Sequence, residues 1–81
     1  MATMVVFKKF PEGDVIALFP EQKEYYPGTC NSYQHIGQHG ACLTYHPDLK
    51  RATQEEYSDL LEELVSIGYD DLVIKQRLPR R

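Results

Sequence analysis

Four residues of the kinds that bind zinc or carry thiol chemistry fall close together: Cys30, His35, His39 and Cys42, the last three inside SYQHIGQHGAC at 32–42. As zinc ligands they have the right donors but the wrong rhythm. Their spacing is C-x4-H-x3-H-x2-C, whereas structural zinc sites offer a close cysteine pair that aims two thiolates at one ion. On a helix, histidines four apart share a face and can chelate. On a strand they also share a face, but at about 3.3 Å per residue they stand roughly 13 Å apart, and two imidazoles cannot then both reach about 2 Å from one zinc. Gly37 and Gly40 each disfavour helix by about 1 kcal/mol. The stretch therefore reads as extended, and a metal set of Cys30, His35, His39 and Cys42 is the weaker alternative, dependent on a glycine turn that gathers the rings.

A cysteine nucleophile would need a base within hydrogen-bond reach and a third group to orient that base. No thiol-enzyme signature surrounds either cysteine, and Cys42 between Ala41 and Leu43 reads as small core filler. The chain has no Walker loop, no G-x-G-x-x-G and no H-E-x-x-H. No catalytic residue is assigned, no cofactor is expected, and the chain is read as non-enzymatic.

The elements that must position these residues are few. Met4–Phe10 and Asp14–Phe19 are short apolar runs either side of Phe10-Pro11-Glu12-Gly13. Proline suits the second position of a type I turn and glycine the left-handed residue after it, so the pair reads as a hairpin. Pro20 lacks the N–H of a ladder residue and is expected to end the second strand. Residues 20–32 read as a polar loop carrying Tyr25 and Tyr26, and 33–45 as one glycine-interrupted strand. The helix has the clearest signature. Thr53 and Glu56 make a capping box, and Tyr57, Leu60, Leu61, Leu64 and Ile67 recur at helical spacing. Gly68 suits a left-handed C-terminal residue, with Tyr69 folding back onto Leu64. A last strand over Leu72–Leu78 alternates Leu72, Ile74 and Leu78 against Val73, Lys75 and Arg77.

This order, β-β-β-α-β, predicts an α+β fold: a small antiparallel or mixed sheet of three to four strands with one helix packed on one face. Eighty-one residues make residues 1–81 a single domain with a small core. Hydrophobic residues at 42% and charged residues at 26% exclude a disordered chain. The opening MATMVVFKKF is too short an apolar run for a signal peptide, and no stretch reaches the roughly 18 apolar residues of a membrane span. A cytoplasmic protein with free thiols is expected, although oxidising conditions would make Cys30 and Cys42 a possible pair.

The combination DVIALFP, SYQHIGQHG and EEYSDLLEELVSIGYDDLVI resembles a family of small uncharacterised bacterial proteins found in phages and other mobile elements. The likeness spans roughly residues 7 to 75. It implies a bacterial cytosolic accessory protein and, because the family has no established activity, brings no site residue with it.

Recognition is therefore read from the residues. The face of the sheet away from the helix is expected to be bare and to carry apolar positions such as Val5 and Phe7 or Val73, which favours a protein partner or a homodimer. Tyr25, Tyr26, Tyr33, His35 and His39 are the expected contact residues, exposed rings being common binding anchors. The alternative is nucleic acid held on Lys8, Lys9, Lys75 and Arg77, if the first and last strands are neighbours, by phosphate neutralisation with stacking on Tyr33 or Tyr45. A formal net charge of −3 weighs against a general nucleic-acid binder. The bland account of the basic residues is that they blunt an edge strand.

Overall fold

The first hairpin forms where Pro11 and Gly13 require it. Strands β1 (Thr3–Lys9) and β2 (Val15–Lys23) are joined by a turn in which the Phe10 N–H donates to the Asp14 carbonyl at 2.8 Å and the Gly13 N–H to the Phe10 carbonyl at 2.9 Å. Gly13 has φ +103°, a conformation that a side chain strains. The computed structural model describes residues 2–23, 28–34, 38–43 and 47–75, and all that follows concerns those.

β2 does not end at Pro20. It continues to Lys23, and its pairing with β3 (Thr29–Gln34) shifts between Phe19 and Lys23. This irregularity accommodates Pro20, since a residue inside a broken ladder owes no N–H. The stretch 33–45, expected as one strand, is instead split. β3 pairs antiparallel with β4 (Gln38–Leu43), Gln34 standing opposite Gln38 and Thr29 opposite Leu43. The chain thus reverses direction within the glycine-bearing segment, and residues 20–32, expected as loop, supply strand at both ends.

A two-residue strand, β5 (Lys50–Arg51), precedes helix α1 (Gln54–Ser66), and β6 (Leu72–Lys75) closes the chain order. The sheet runs β4-β3-β2-β1-β5, with β6 parallel to β1 on the same side as β5. The expected α+β layer with one helix is therefore present, with the sheet enlarged by the split third strand and by β5.

The helix is bounded by the residues its sequence names. The Glu56 N–H donates to Thr53 Oγ1 at 3.3 Å and the Thr53 N–H to Glu56 Oε1 at 2.8 Å, closing the capping box. At the other end Gly68 takes φ +119°. Its N–H donates to the Val65 carbonyl, and the Tyr69 N–H to the Leu64 carbonyl at 3.1 Å, a Schellman closure. Leu60 and Leu64 are buried against Val5, Phe7, Ala17, Phe19, Tyr33 and Ala52, with Tyr57, Leu61 and Tyr69 at the margin. Phe7 stacks on Tyr57 with centroids 4.4 Å apart, and Phe19 on Tyr69 at 5.3 Å. Ile67, read as part of this stripe, is half exposed because it is the C-cap residue, where the helical period stops.

The other face of the sheet is not bare. Val5 and Phe7 lie under the helix, and the alternate residues Ile16, Leu18 and Cys30 form a second buried cluster with Leu49, flanked by Phe10. Val6, opposite Leu18 in register, is also fully buried. Leu49, one residue before β5, packs over the middle strands of this face rather than at its edge. By Ala52 the chain has reached the helix side. The expectation of an open apolar face fails because Val6, Ile16, Leu18 and Cys30 are buried there, with Leu49 packed among them.

Candidate functional site

β1 has one partner along its β2 side and two in series along the other. β6 runs beside Thr3–Val6, and β5 beside Lys8–Lys9. Phe7 falls at the junction, where its carbonyl accepts the Ala52 N–H at 3.1 Å. The fork leaves a cleft of about 400 Å³ walled by Phe7, Tyr57 and Ile74 and rimmed by Arg51, Lys75 and the start of α1.

The register concentrates positive charge here. Lys8 stands opposite Arg51, Lys9 opposite Lys50, and Lys75 opposite Val6. Five of the chain's nine lysines and arginines therefore lie on three neighbouring strands of a protein that is acidic overall. Like charges directly across a ladder repel. The pKa of Lys8 is pushed below its usual 10.5, first by burial and then by the Arg51 charge. Lys9 is answered: its Nζ donates to Glu56 Oε2 at 2.6 Å. That bond, followed by the Thr53 N–H, pulls the Glu56 carboxyl down to about 2. One carboxylate thus closes the helix cap and pins the end of β1.

Beside these cations lies apolar surface. Val73 is 37% and Ile74 38% exposed, and among the described residues β6 pairs with β1 alone. An edge strand has a row of backbone donors and acceptors without ladder partners, and such an edge is a template for another strand.

The residues singled out from sequence fare differently. The first and last strands are neighbours, which sets Lys75 beside Val6 on the face of Lys8, whereas alternation puts Lys9 on the helix face, where Glu56 binds it. Tyr33, expected at a contact surface, is only 2% exposed. It stands opposite Ala17, on the helix face, and its hydroxyl donates to the Glu63 carboxylate. Strand alternation sends it under α1, which also removes it as a stacking platform. His39 is opposite Tyr33 on β4. Cys30 and Cys42 are opposite one another in the backbone register. Among the described residues no three of His, Cys, Asp and Glu gather as a metal site. Tyr25, Tyr26, Tyr45, His35 and Arg77 lie outside the described residues. Lys50 and Arg51 were missed, although the Lys-Arg doublet echoes Lys8-Lys9; two residues before a helix cap give no strand period to read.

No protein-family model matches the chain, and neither a curated protein nor a solved structure matches it. Among the described residues no helix is long and apolar enough to cross a membrane.

Proposed function

We propose that this protein is a non-enzymatic interaction module that receives an extended, acidic segment of a partner protein along the β6 edge. The observation that carries the reading is the half-exposed Val73 and Ile74 on a strand paired on one side only among the described residues. In β-strand addition, main-chain hydrogen bonds supply affinity and alternate side-chain positions supply specificity. Ile74 shares the register position of Val5, on the helix side, whereas Lys75 shares that of Val6. A partner strand with apolar residues on one face and carboxylates on the other suits both, and Lys50 and Arg51 extend the positive field beyond its end. The resemblance to small accessory proteins of mobile elements is in keeping with such a role.

Single-stranded nucleic acid is the second reading, favoured by the like-charged pair Lys8–Arg51 with Lys50 beside it. It ranks lower because Tyr33, its described stacking ring, is buried. Fluorescence anisotropy at 150 mM salt, on the order of physiological ionic strength, distinguishes the two with a labelled peptide alternating valine and glutamate and a labelled oligothymidylate. Peptide binding that Lys75→Glu weakens at least about tenfold, with the fold intact by circular dichroism and backbone amide shifts centred on 72–75, supports strand addition. Binding of the oligothymidylate alone moves the function to nucleic acid, and binding of neither probe rejects both.

A further inference from the structure

We propose that Cys30 and Cys42 are a redox-sensitive pair that closes a disulfide across the β3–β4 ladder. The two residues are direct cross-strand partners, inside an unbroken run of pairs from Thr29↔Leu43 to Gln34↔Gln38. Opposed residues of an antiparallel pair have Cα atoms about 4.5 to 5.5 Å apart, and disulfides span about 4.4 to 6.8 Å. Direct partners also share a face of the sheet. The backbone therefore already stands at bonding distance, and oxidation needs no change of register.

The setting gives the bond something to do. On its β2 side, β3 is held by a ladder that shifts between Phe19 and Lys23, and Cys30 is paired with Lys23 beyond that shift. The regular support for this end of β3 comes from β4, the last strand of the sheet order. A covalent link at this position fixes the hairpin where the neighbouring ladder is irregular. Cys30 is a free, fully buried thiol, the resting form expected in a reducing compartment.

The oxidant is a low-molecular-weight disulfide such as oxidised glutathione. One protein thiolate attacks it, its sulfur–sulfur bond breaks, and a mixed disulfide and one glutathione thiolate result. The second protein thiolate attacks the protein sulfur of that mixed disulfide, forming the Cys30–Cys42 bond and expelling the second glutathione thiolate. The two protons lost from the protein thiols are taken up by the two released thiolates. Two protein thiols are oxidised and one small disulfide is reduced to two thiols.

The test uses the full chain, equilibrated with oxidised glutathione or with dithiothreitol. The oxidised monomer should be two hydrogens lighter, resist alkylation after denaturation and yield a linked peptide containing both cysteines. Its Tm should rise by about 10 °C, the scale expected for closing a short loop in a domain of this size. Cys42→Ser, which leaves the buried Cys30 in place, and Cys30→Ala should each abolish the oxidised-minus-reduced difference, whatever they do to stability itself. Two alkylatable thiols after oxidation, a stable glutathione adduct, or disulfide-linked dimers in place of the internal bond would each overturn the proposal.

Discussion

The two faces of the sheet are both buried, by opposite means. Under α1 the cover is periodic: Leu60 and Leu64 descend onto Phe7 and Phe19, whose rings stack on Tyr57 and Tyr69. On the other face, among the described residues, Leu49 packs with Ile16, Leu18 and Cys30, with Phe10 at the side. The first arrangement is a regular element fastened by two caps, the second a residue just outside a two-residue strand. A helix binds as a cooperative unit, because its backbone is internally satisfied and its apolar stripe arrives together. A connection depends on single side chains. A domain this small can thus close both faces of its sheet, with unequal security.

The comparison has measurable consequences. The largest should come from the helix face. Phe19→Ala removes a fully buried ring and its stack with Tyr69, and equilibrium denaturation should register a loss of about 4 kcal/mol. If the cost is instead near that of a surface change, the helix-side cluster is not the main core. On the other face, Leu49→Ala should cost about 2 kcal/mol, less because Leu49 is at the margin of burial at 9% exposure. Hydrogen exchange in this variant should rise for the amides of Ile16 and Leu18 before those of α1. Simultaneous loss of protection in both would show that the faces do not open separately.

The smallest effect belongs to the fastening of the helix. The Glu56 carboxyl, near 2 when folded against an ordinary 4.5, adds stability that is fully present above about pH 4.5 and is lost as pH falls towards 2. Glu56→Gln should therefore lower Tm slightly at neutral pH, and the two melting curves should converge in that acid window. The difference should also shrink in high salt, as for other exposed ion pairs. A gap between the two proteins that persists unchanged at pH 2 would assign the effect to packing rather than charge.

Where a feature depends on neighbours in the chain, it could be read directly. Pro11 and Gly13 specify a turn through their own allowed dihedrals, and Thr53, Glu56 and Gly68 specify both ends of α1 through bonds no longer than a turn of helix. Period two in Leu72–Lys75 placed Ile74 and Lys75 on opposite faces. Features that depend on a meeting between distant segments were not legible. Leu49 stands alone between turn residues and a charged doublet, so no period marks it as core. Tyr33 alternates with Gln34 in a sequence that suits either face, and only its register with Ala17 sends it under the helix. The split of 33–45 turned on the same point, since Gly37 and Gly40 are compatible with a kinked strand or a reversal.

By itself, then, the sequence determined the α+β class, the first hairpin, the helix with its caps and the absence of a recognised catalytic motif, because each is governed by short-range dihedral preference, hydrogen bonding or spacing. The tertiary structure alone decided that β1 has β5 and β6 in series along one side, that five cations lie on those three strands, that Ile16, Leu18 and Cys30 are buried on the second face and that Cys30 stands opposite Cys42 in register. Each of those depends on which strands become neighbours and in what register, a choice made by the burial of the whole sheet rather than by any single segment.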